Sequence, residues 1–301
     1  MQTLFSRACA LVRSPASPLR VLQRRAWAGR RNPAEIARLG REDSPEARSL
    51  ARALGAVVAG NLSLEERTWT EKIESLRREL ASSRRTLRLE DWGAVSPRPR
   101  SSEGREGPVI AVRTVGEICR GSASRPGRAL LLFRLVRELK PGFCLELGTS
   151  LGISAAYLAA AQELNRRGGT LLTLEGALEA AGLARENLKR LGLNERTTVT
   201  VGRFQDTLTA ALQERGPADF VFVDGHHAEE ATLAYFETLL PQLSPGACLV
   251  FDDIAWSRGM ARAWKKIASD PRAGIAVDLF TLGICLMIPT APPRRYRVAA
   301  V

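Results

Sequence analysis

The sequence predicts an α/β fold: a doubly wound, mostly parallel sheet of seven strands with a C-terminal antiparallel hairpin, preceded by an N-terminal helical extension. Three observations predict this class. From residue 143 onward, short apolar runs alternate with segments of helix length, a glycine-rich loop follows the first run, and the last two runs are separated only by Leu282 and Gly283. Such alternation is typical of parallel sheets, because each crossover between parallel strands needs a connection long enough to hold a helix.

The predicted elements follow in a regular order. Each strand is a short apolar run bounded by turn residues, and each helix repeats apolar residues at intervals of three and four. The strands are predicted at 143–147, 170–174, 197–201, 219–223, 247–251, 276–281 and 284–288. The helices are predicted at 129–139, 154–164, 178–190, 206–214, 228–239 and 258–268.

The chain divides into three parts. Residues 1–60 read as a basic tail that is poorly ordered or helical, 61–112 as a helical extension with a Pro/Gly/Ser-rich linker, and 113–301 as the main domain. Within the extension, Ser63 and Glu66 form a capping box that opens an amphipathic helix over 63–85. Its apolar stripe packs either on the main domain or on a second copy, so a homodimer is one expectation. The stripe consists of Leu64, Ile73, Leu76 and Leu80.

Charge and cysteine content limit the functional classes. The 301 residues carry a net charge of +12, and residues 1–40 hold eight arginines against Glu35 alone. Such a start is typical of a mitochondrial presequence, of a membrane-surface or nucleic-acid tail, or of a solvated bacterial N-terminus. Beyond it, mixed charges and few aromatics disfavour nucleic-acid binding, and no apolar run reaches the ~20 residues of a membrane span. The five scattered cysteines read as reduced thiols.

The glycine-rich loop predicts a nucleoside ligand. The run FCLELGTSLGIS, residues 143–154, leads from a strand into a helix, and a second run ends at Glu175, which can accept both ribose hydroxyls. Gly148 and Gly152 allow close backbone approach to a ligand. The spacing GTSLG lacks the third glycine of a dinucleotide site, which favours S-adenosylmethionine over NAD. The alternative is a tight strand-to-helix turn without a ligand.

Carboxylates and histidines follow two later strands. Asp224, His226 and His227 come after one, and Asp252 and Asp253 come after another. These side chains should converge, because the carboxyl ends of parallel strands meet at one edge of a sheet. Three close carboxylates repel one another unless a cation such as Mg²⁺ neutralises them. The alternative is that two aspartates cap helices while Asp253 and the histidines are solvated.

The chain resembles a known family. The segments ELGTSLGIS, TLEG, VGRFQDTL, FVDGHH and VFDDI resemble the class I S-adenosylmethionine-dependent methyltransferases, in the branch of the catechol-type, metal-dependent O-methyltransferases. Longer segments, RALLLFRLVRELKP among them, resemble uncharacterised bacterial methyltransferases. The resemblance covers about 114–298. It implies S-adenosylmethionine as cofactor, a small hydroxylated acceptor, and a bacterial cytoplasmic protein, with the mitochondrion as the alternative location. The alternative functions are a methyltransferase that acts without metal or on a macromolecule, and a non-catalytic interaction module that keeps the fold.

The resemblance also implies a role for each site residue. Gly148 is the first loop glycine, Ser150 and Ser154 meet the methionine part of the cofactor, and Glu175 binds the ribose. Asp224, Asp252 and Asp253 would hold Mg²⁺ or another divalent cation, and His227 would be the catalytic base beside Asp224. The implied cofactor-binding set is Glu146, Gly148, Ser150, Gly152, Ser154, Glu175, Phe204, Gln205 and Asp224.

Two positions depart from the catechol-type pattern. Asp253 stands where those enzymes usually have Asn, and His227 where they usually have Lys. An imidazole with an ordinary pKa of ~6.5 is a competent base near neutral pH. The motifs of amino-group and cytosine methylation are missing, so oxygen is the expected acceptor atom. Trp256 is an expected contributor to the acceptor pocket. Trp92 is either a core anchor, the ordinary fate of a tryptophan, or a contact for the acceptor.

Overall fold

The computed structural model describes residues 32–91, 109–288 and 292–299. The first 31 residues, Trp92 and most of the predicted linker lie outside these ranges. The division of the chain at residues 60 and 112 remains a prediction. Within the described ranges, no helix has the length and apolar character needed to cross a membrane.

Three helices form the N-terminal extension: α1 at 32–40, α2 at Pro45–Ala59 and α3 at Leu64–Ser82. Helix α2 starts at Ser44, whose hydroxyl accepts from the N–H of Ala47, and ends at Gly60 in a left-handed conformation. The predicted capping box of α3 is present in full. Its predicted stripe is buried at three of four positions, whereas Leu64 is 81% exposed.

A two-stranded antiparallel hairpin follows, with β1 at Thr86–Asp91 and β2 at Val109–Thr114. Neither strand was predicted, because residues 61–112 were interpreted as a helical extension and a Pro/Gly/Ser-rich linker. Helix α4, Val115–Ser122, starts in a second capping box formed by Thr114 and Glu117. Helix α5, Pro126–Leu139, then leads into the main sheet and buries its central residues.

The main domain contains the predicted alternation of strands and helices. Its elements are β3 at Phe143–Leu147, α6 at Ile153–Asn165, β4 at Thr170–Glu175, α7 at Leu178–Arg190, β5 at Thr197–Val201, α8 at Phe204–Arg215, β6 at Ala218–Val223, α9 at Glu229–Leu239, a 3-10 turn at Leu240–Gln242, β7 at Leu243–Phe251, α10 at Arg258–Ile267, β8 at Ile275–Asp278, β9 at Gly283–Leu286 and β10 at Arg294–Arg297. The predicted fold class is confirmed.

The sheet has eight strands rather than the predicted seven, in the order β10-β8-β9-β7-β6-β3-β4-β5. Strand β9 is antiparallel to both of its neighbours and forms the predicted hairpin with β8. The additional strand, β10, pairs in parallel with β8 at the edge. Its sequence, RRYR, buries only Tyr296. An apolar pattern therefore could not reveal it.

Alternate residues of the central strands enter two cores, as the two-residue period of a strand requires. Cys144 and Phe220 face the core that contains α2, α3, α5 and α6, whereas Leu145 and Val221 face the core that contains α8, α9 and α10. Helix α6 is buried on all sides over its first ten residues, Ile153 to Gln162. The N-terminal extension therefore covers the face of α6 that is turned away from the sheet.

Side-chain contacts fasten the extension to the sheet domain. The hydroxyl of Tyr157 in α6 donates to Glu74 of α3 at 2.8 Å. This matches one of the two expectations for the amphipathic helix, packing on the main domain, whereas pairing with a second copy stays a prediction. The four described cysteines are buried free thiols, and the fifth, Cys9, lies outside the described residues.

Candidate active site

The loops that follow the central strands are joined at the carboxyl edge of the sheet. The N–H of Gly148 donates to Leu174 O at 3.0 Å, and the N–H of Asp224 donates to Leu147 O at 2.8 Å. The N–H of Asp252 continues the series by donating to Val223 O at 2.9 Å. The edge thus brings the glycine-rich loop and both aspartate loops together, as the parallel order predicts.

The two loop glycines are required by the backbone itself. Gly148 has φ of +108°, and a Cβ at this position would collide with the carbonyl oxygen of Asp224. Gly152 has φ of +82°, and a Cβ there would lie 3.2 Å from the Cβ of Ala184. These glycines therefore allow β3 to approach β6 and α6 to approach α7. The prediction that they contact a cofactor is a separate matter and stays untested.

Glu175 fixes the glycine-rich loop from the end of β4. Its carboxylate accepts from the N–H of Ser150 at 2.7 Å and from the N–H of Ala177 at 2.9 Å. Ser150 has a left-handed conformation with φ of +48°, which turns its N–H toward this carboxylate. Burial raises the pKa of Glu175, while these backbone hydrogen bonds oppose the rise. A carboxylate offers about four acceptor positions, so capacity remains for a ligand hydroxyl.

Glu146 is a fully buried carboxyl within β3. Its Oε2 accepts from the hydroxyl of Thr173 at 2.6 Å, whereas its Oε1 has no hydrogen-bond partner among the described residues. Burial raises the pKa of this carboxyl to about 7, and the nearby hydroxyls of Thr173 and Ser154 oppose the rise, although the Ser154 hydroxyl does not reach hydrogen-bond geometry with Oε1. Ser154 is buried in the first turn of α6, just beyond the loop. An orphaned, buried carboxyl oxygen points to a missing donor or cation.

Phe204 and Gln205 open α8 on the other side of the loops. The Phe204 ring lies against Gly225 in the loop after β6 and meets Tyr235 edge to face, with ring centroids 5.7 Å apart. Gln205, the next residue, is exposed, and its implied role in cofactor binding stays a prediction. The structure therefore places Phe204 beside the Asp224 loop.

The acidic end of the site, formed by Asp224, Asp252 and Asp253, contains a cation that was not predicted from the sequence. Arg128, in the first turn of α5, directs its Nη1 to Asp252 Oδ1 at 2.5 Å and to Asp253 Oδ1 at 3.0 Å. The N–H of Asp253 also donates to Asp252 Oδ1, at 2.6 Å. The sequence contained a faint signal, since the segment RALLLFRLVRELKP begins at Arg128, but nothing in it indicated a partner 124 residues away.

The carboxyl groups at this end influence one another. Burial, followed by repulsion from Asp253, raises the pKa of Asp252 to about 6, and Arg128 opposes that rise. Burial and repulsion from Asp252 and Asp253 raise the pKa of Asp224 as well. The side chains of Asp252 and Asp224 are only 3% and 16% exposed, so water screens these interactions poorly.

His227 lies next to Asp224, with Nε2 3.8 Å from Oδ1, which is too far for a direct hydrogen bond. Burial lowers the pKa of His227, and the charge of Arg128 acts in the same direction, against the influence of Asp253. The ring of Trp256 lies 6.0 Å from that of His227 and is 41% exposed. His226 turns away, with its Nδ1 2.9 Å from the hydroxyl of Tyr235.

The predicted metal ligands do not combine into a metal site. Across the described ranges, no three His, Cys, Asp or Glu side chains form a group that could hold a metal ion. Asp252 and Asp253 are already paired with the guanidinium of Arg128. The donor set therefore does not fit the divalent cation that the catechol-type resemblance implies.

Comparison with known proteins agrees with this architecture. Residues 145–254 match a family model described as a methyltransferase domain. This part of the chain is similar to methyltransferase domains. The matched segment runs from within β3 to the loop after β7, so it includes every residue of the candidate site except Arg128 of α5 and Trp256.

Two curated relatives are catechol O-methyltransferases. That of Niastella koreensis is 33% identical over 130 residues, which are 43% of this chain and 57% of the relative. That of Mycobacterium tuberculosis is 31% identical over 160 residues, or 53% of this chain and 64% of the relative. The chain thus spans less than two thirds of either methyltransferase. A solved O-methyltransferase from Bacillus cereus, in complex with SAH, is 26% identical with a TM-score of 0.48 and covers 55% of this chain and 83% of that one.

Proposed function

We propose that the protein transfers a methyl group from S-adenosylmethionine to an oxygen of a small hydroxylated acceptor. The observation that carries this proposal is Glu146, whose buried carboxyl keeps one oxygen without a partner among the described residues. A buried carboxylate calls for a cation or a donor at close range. The methionine part of the cofactor offers an ammonium group, whereas the pyrophosphate of a dinucleotide would add negative charge.

The charge of the whole site supports the same ligand. Five carboxyl groups lie on the ends of β3, β4, β6 and β7 or on the loops that follow: Glu146, Glu175, Asp224, Asp252 and Asp253. S-adenosylmethionine carries a sulfonium as well as an ammonium, so an acidic site attracts it. Glu175 would accept the ribose hydroxyls, as the resemblance implies, and Phe204 would cover one side of the adenine.

When bound, the cofactor supplies an already activated methyl on its sulfonium. The remaining tasks of the protein are to orient the acceptor hydroxyl and to remove its proton. His227 suits the second task, because its lowered pKa keeps the imidazole neutral, and able to accept a proton, at pH 7. Asp224, 3.8 Å away, is close enough to stabilise the imidazolium once the proton has moved.

The acceptor side of the site favours a flat molecule. Trp256 presents a half-exposed ring beside His227, and an aromatic hydroxyl compound can stack on such a surface. The aspartates are already paired with Arg128, so no metal takes part in this mechanism. A small phenolic acceptor is therefore the substrate class that we propose.

Methyl transfer can be tested with two matched histidine variants. The assay measures transfer of radiolabelled methyl from S-adenosylmethionine to a panel of phenols and catechols. We expect His227→Asn to lower kcat by ~100-fold or more, the usual contribution of a general base, and His226→Asn, in the same loop, to retain most activity. Equal turnover by His227→Asn and the unaltered protein would exclude His227 as the base, and absence of transfer to any acceptor would contradict the proposed reaction.

A further inference from the structure

Arg128 differs from a surface salt-bridge residue because it is largely buried and pairs with two carboxylates, those of Asp252 and Asp253. Its side chain is 15% exposed, and its Nη1 reaches both Asp252 Oδ1 at 2.5 Å and Asp253 Oδ1 at 3.0 Å. Its hydrogen bonds to other described residues all run through that one nitrogen. The Nε and Nη2 groups therefore remain as donors for a ligand oxygen or for water.

We propose that Arg128 is the built-in cation of this site and that it replaces a divalent metal. Its guanidinium holds the two adjacent carboxylates together and supplies the positive charge next to the acceptor. The methyltransferase reaction then proceeds without Mg²⁺. The inference that methyl transfer needs no Mg²⁺ rests on the proposed function. The assignment of Arg128 as the cation of the site does not.

The coordination chemistry of the aspartates supports the replacement. Asp252 Oδ1 already accepts from Arg128 and from the N–H of Asp253, and Asp253 Oδ1 accepts from Arg128. Mg²⁺ requires near-octahedral oxygen ligands at 2.0–2.1 Å, so it would have to displace these donors. A guanidinium within hydrogen-bond distance of both carboxylates also repels a second cation strongly in a poorly solvated site.

The fold fixes the guanidinium in place. Arg128 lies in the first turn of α5, whose next turn is anchored in the core by Leu131, Leu132 and Phe133. Asp253 has a left-handed conformation with φ of +51°, a strained arrangement for a residue other than glycine. This turn brings the Asp253 carboxylate to the same nitrogen that binds Asp252. Helix α5 and the loop after β7 are therefore joined through Arg128.

Calorimetric titration of Mn²⁺ into the full chain, without S-adenosylmethionine, tests the assignment directly. We expect no binding by the unaltered protein at this site, hence the same result for Asp252→Asn. Arg128→Gln should gain Mn²⁺ binding at least about tenfold tighter than the weakest affinity that the titration detects, because it frees the carboxylates, and Arg128→Lys should bind no more than the unaltered protein. The control, Arg125→Gln, removes an exposed charge from the same helix end and should change nothing.

Two results would overturn the assignment. One is Mn²⁺ binding by the unaltered protein that Asp252→Asn abolishes, a comparison that remains valid even if Arg128→Gln does not fold. The other is a folded Arg128→Gln that binds Mn²⁺ no better than Arg125→Gln. The titration requires no turnover, so a failure of the proposed function would leave its outcome interpretable. Where turnover is found, a chelator should leave the rate unchanged within about twofold, well below the size of a metal contribution.

Discussion

His227 provides the sharpest prediction at the scale of a single residue. Burial and Arg128 lower its pKa below the ordinary 6.5, so the neutral base is present at pH 7 and is lost only as the pH falls through the lowered value. We expect kcat/KM to be flat from about pH 7 to 8.5 and to decline on the acid side. The pKa values of Asp224 and Asp252 are raised, so protonation of these carboxylates would contribute to the same decline of kcat/KM at low pH.

The measurement is a pH profile of methyl transfer at saturating S-adenosylmethionine. A rate that still climbs between about pH 7.5 and 9 would indicate a base with a higher pKa, such as a lysine or the acceptor itself. That result would contradict the role assigned to His227.

Gly148 and Gly182 form a contrasting pair of glycines. Gly148→Ala places a methyl group against the carbonyl of Asp224 at a φ of +108°, so we expect a loss of about 1–3 kcal/mol or more in the free energy of unfolding. Gly182→Ala, in the middle of α7 with nothing within 4 Å of the added Cβ, should gain up to about 1 kcal/mol. Urea unfolding measures both, and a Gly148→Ala protein of unchanged stability would contradict the close approach of the two loops.

At the scale of elements, a buried ion pair joins α3 to α5. Arg134 Nη1 lies 2.7 Å from Glu66 Oε1, and the two side chains are 10% and 6% exposed. The second oxygen of Glu66 accepts from the N–H of Ser63 in the capping box. Glu66 therefore both starts α3 and docks it on the sheet domain.

We expect Glu66→Ala to lower the free energy of unfolding by about 3–5 kcal/mol, because it leaves the buried charge of Arg134 unpaired. Its neighbour supplies the control: Glu65 forms an exposed pair with Arg166, so Glu65→Ala should cost no more than ~1 kcal/mol. Denaturant unfolding of the two variants checks the difference. Similar losses for Glu65→Ala and Glu66→Ala would mean that the α3–α5 junction contributes little.

Predictability from sequence varies among the elements for physical reasons. Strand β3, its loop and α6 could be predicted, because glycines, an apolar run and an Ala-rich helix are signals within a few residues of one another. Strands β1 and β2 were missed because they pair only with each other, and 17 residues of sequence separate them. Strand β10 has a single buried side chain, so burial left no periodic pattern to detect.

In the site, the carboxylates could be located from the sequence, whereas Arg128 could not. Glu175 and the aspartates each follow a strand, and strand ends meet at one edge, so their convergence could be inferred. Arg128 belongs to a helix before the first strand of the sheet domain, and only the tertiary structure brings it to the aspartates. The three carboxylates were therefore interpreted as a metal site because the nearest positive charge could not be located from sequence.

At the scale of the whole molecule, the N-terminal extension and the sheet domain share one core. A continuous cluster of buried residues extends from Leu39 to Val298 and contains side chains from α2, α3, α5 and α6. The acidic site is embedded in a chain with a net charge of +12. Negative charge is thus concentrated at the site although the whole chain is positive, and such a local charge would attract a cationic nucleoside.

Calorimetric titration of S-adenosylmethionine into the full chain, without added metal, tests the central claim most directly. We predict binding in the micromolar range, about −8 kcal/mol. Glu175→Gln should weaken it about tenfold or more through loss of a charged acceptor, and the exposed Glu186→Gln should not affect it. Absence of binding heat at several temperatures, or equal affinity of Glu175→Gln and the unaltered protein, would contradict the assignment of this site to S-adenosylmethionine.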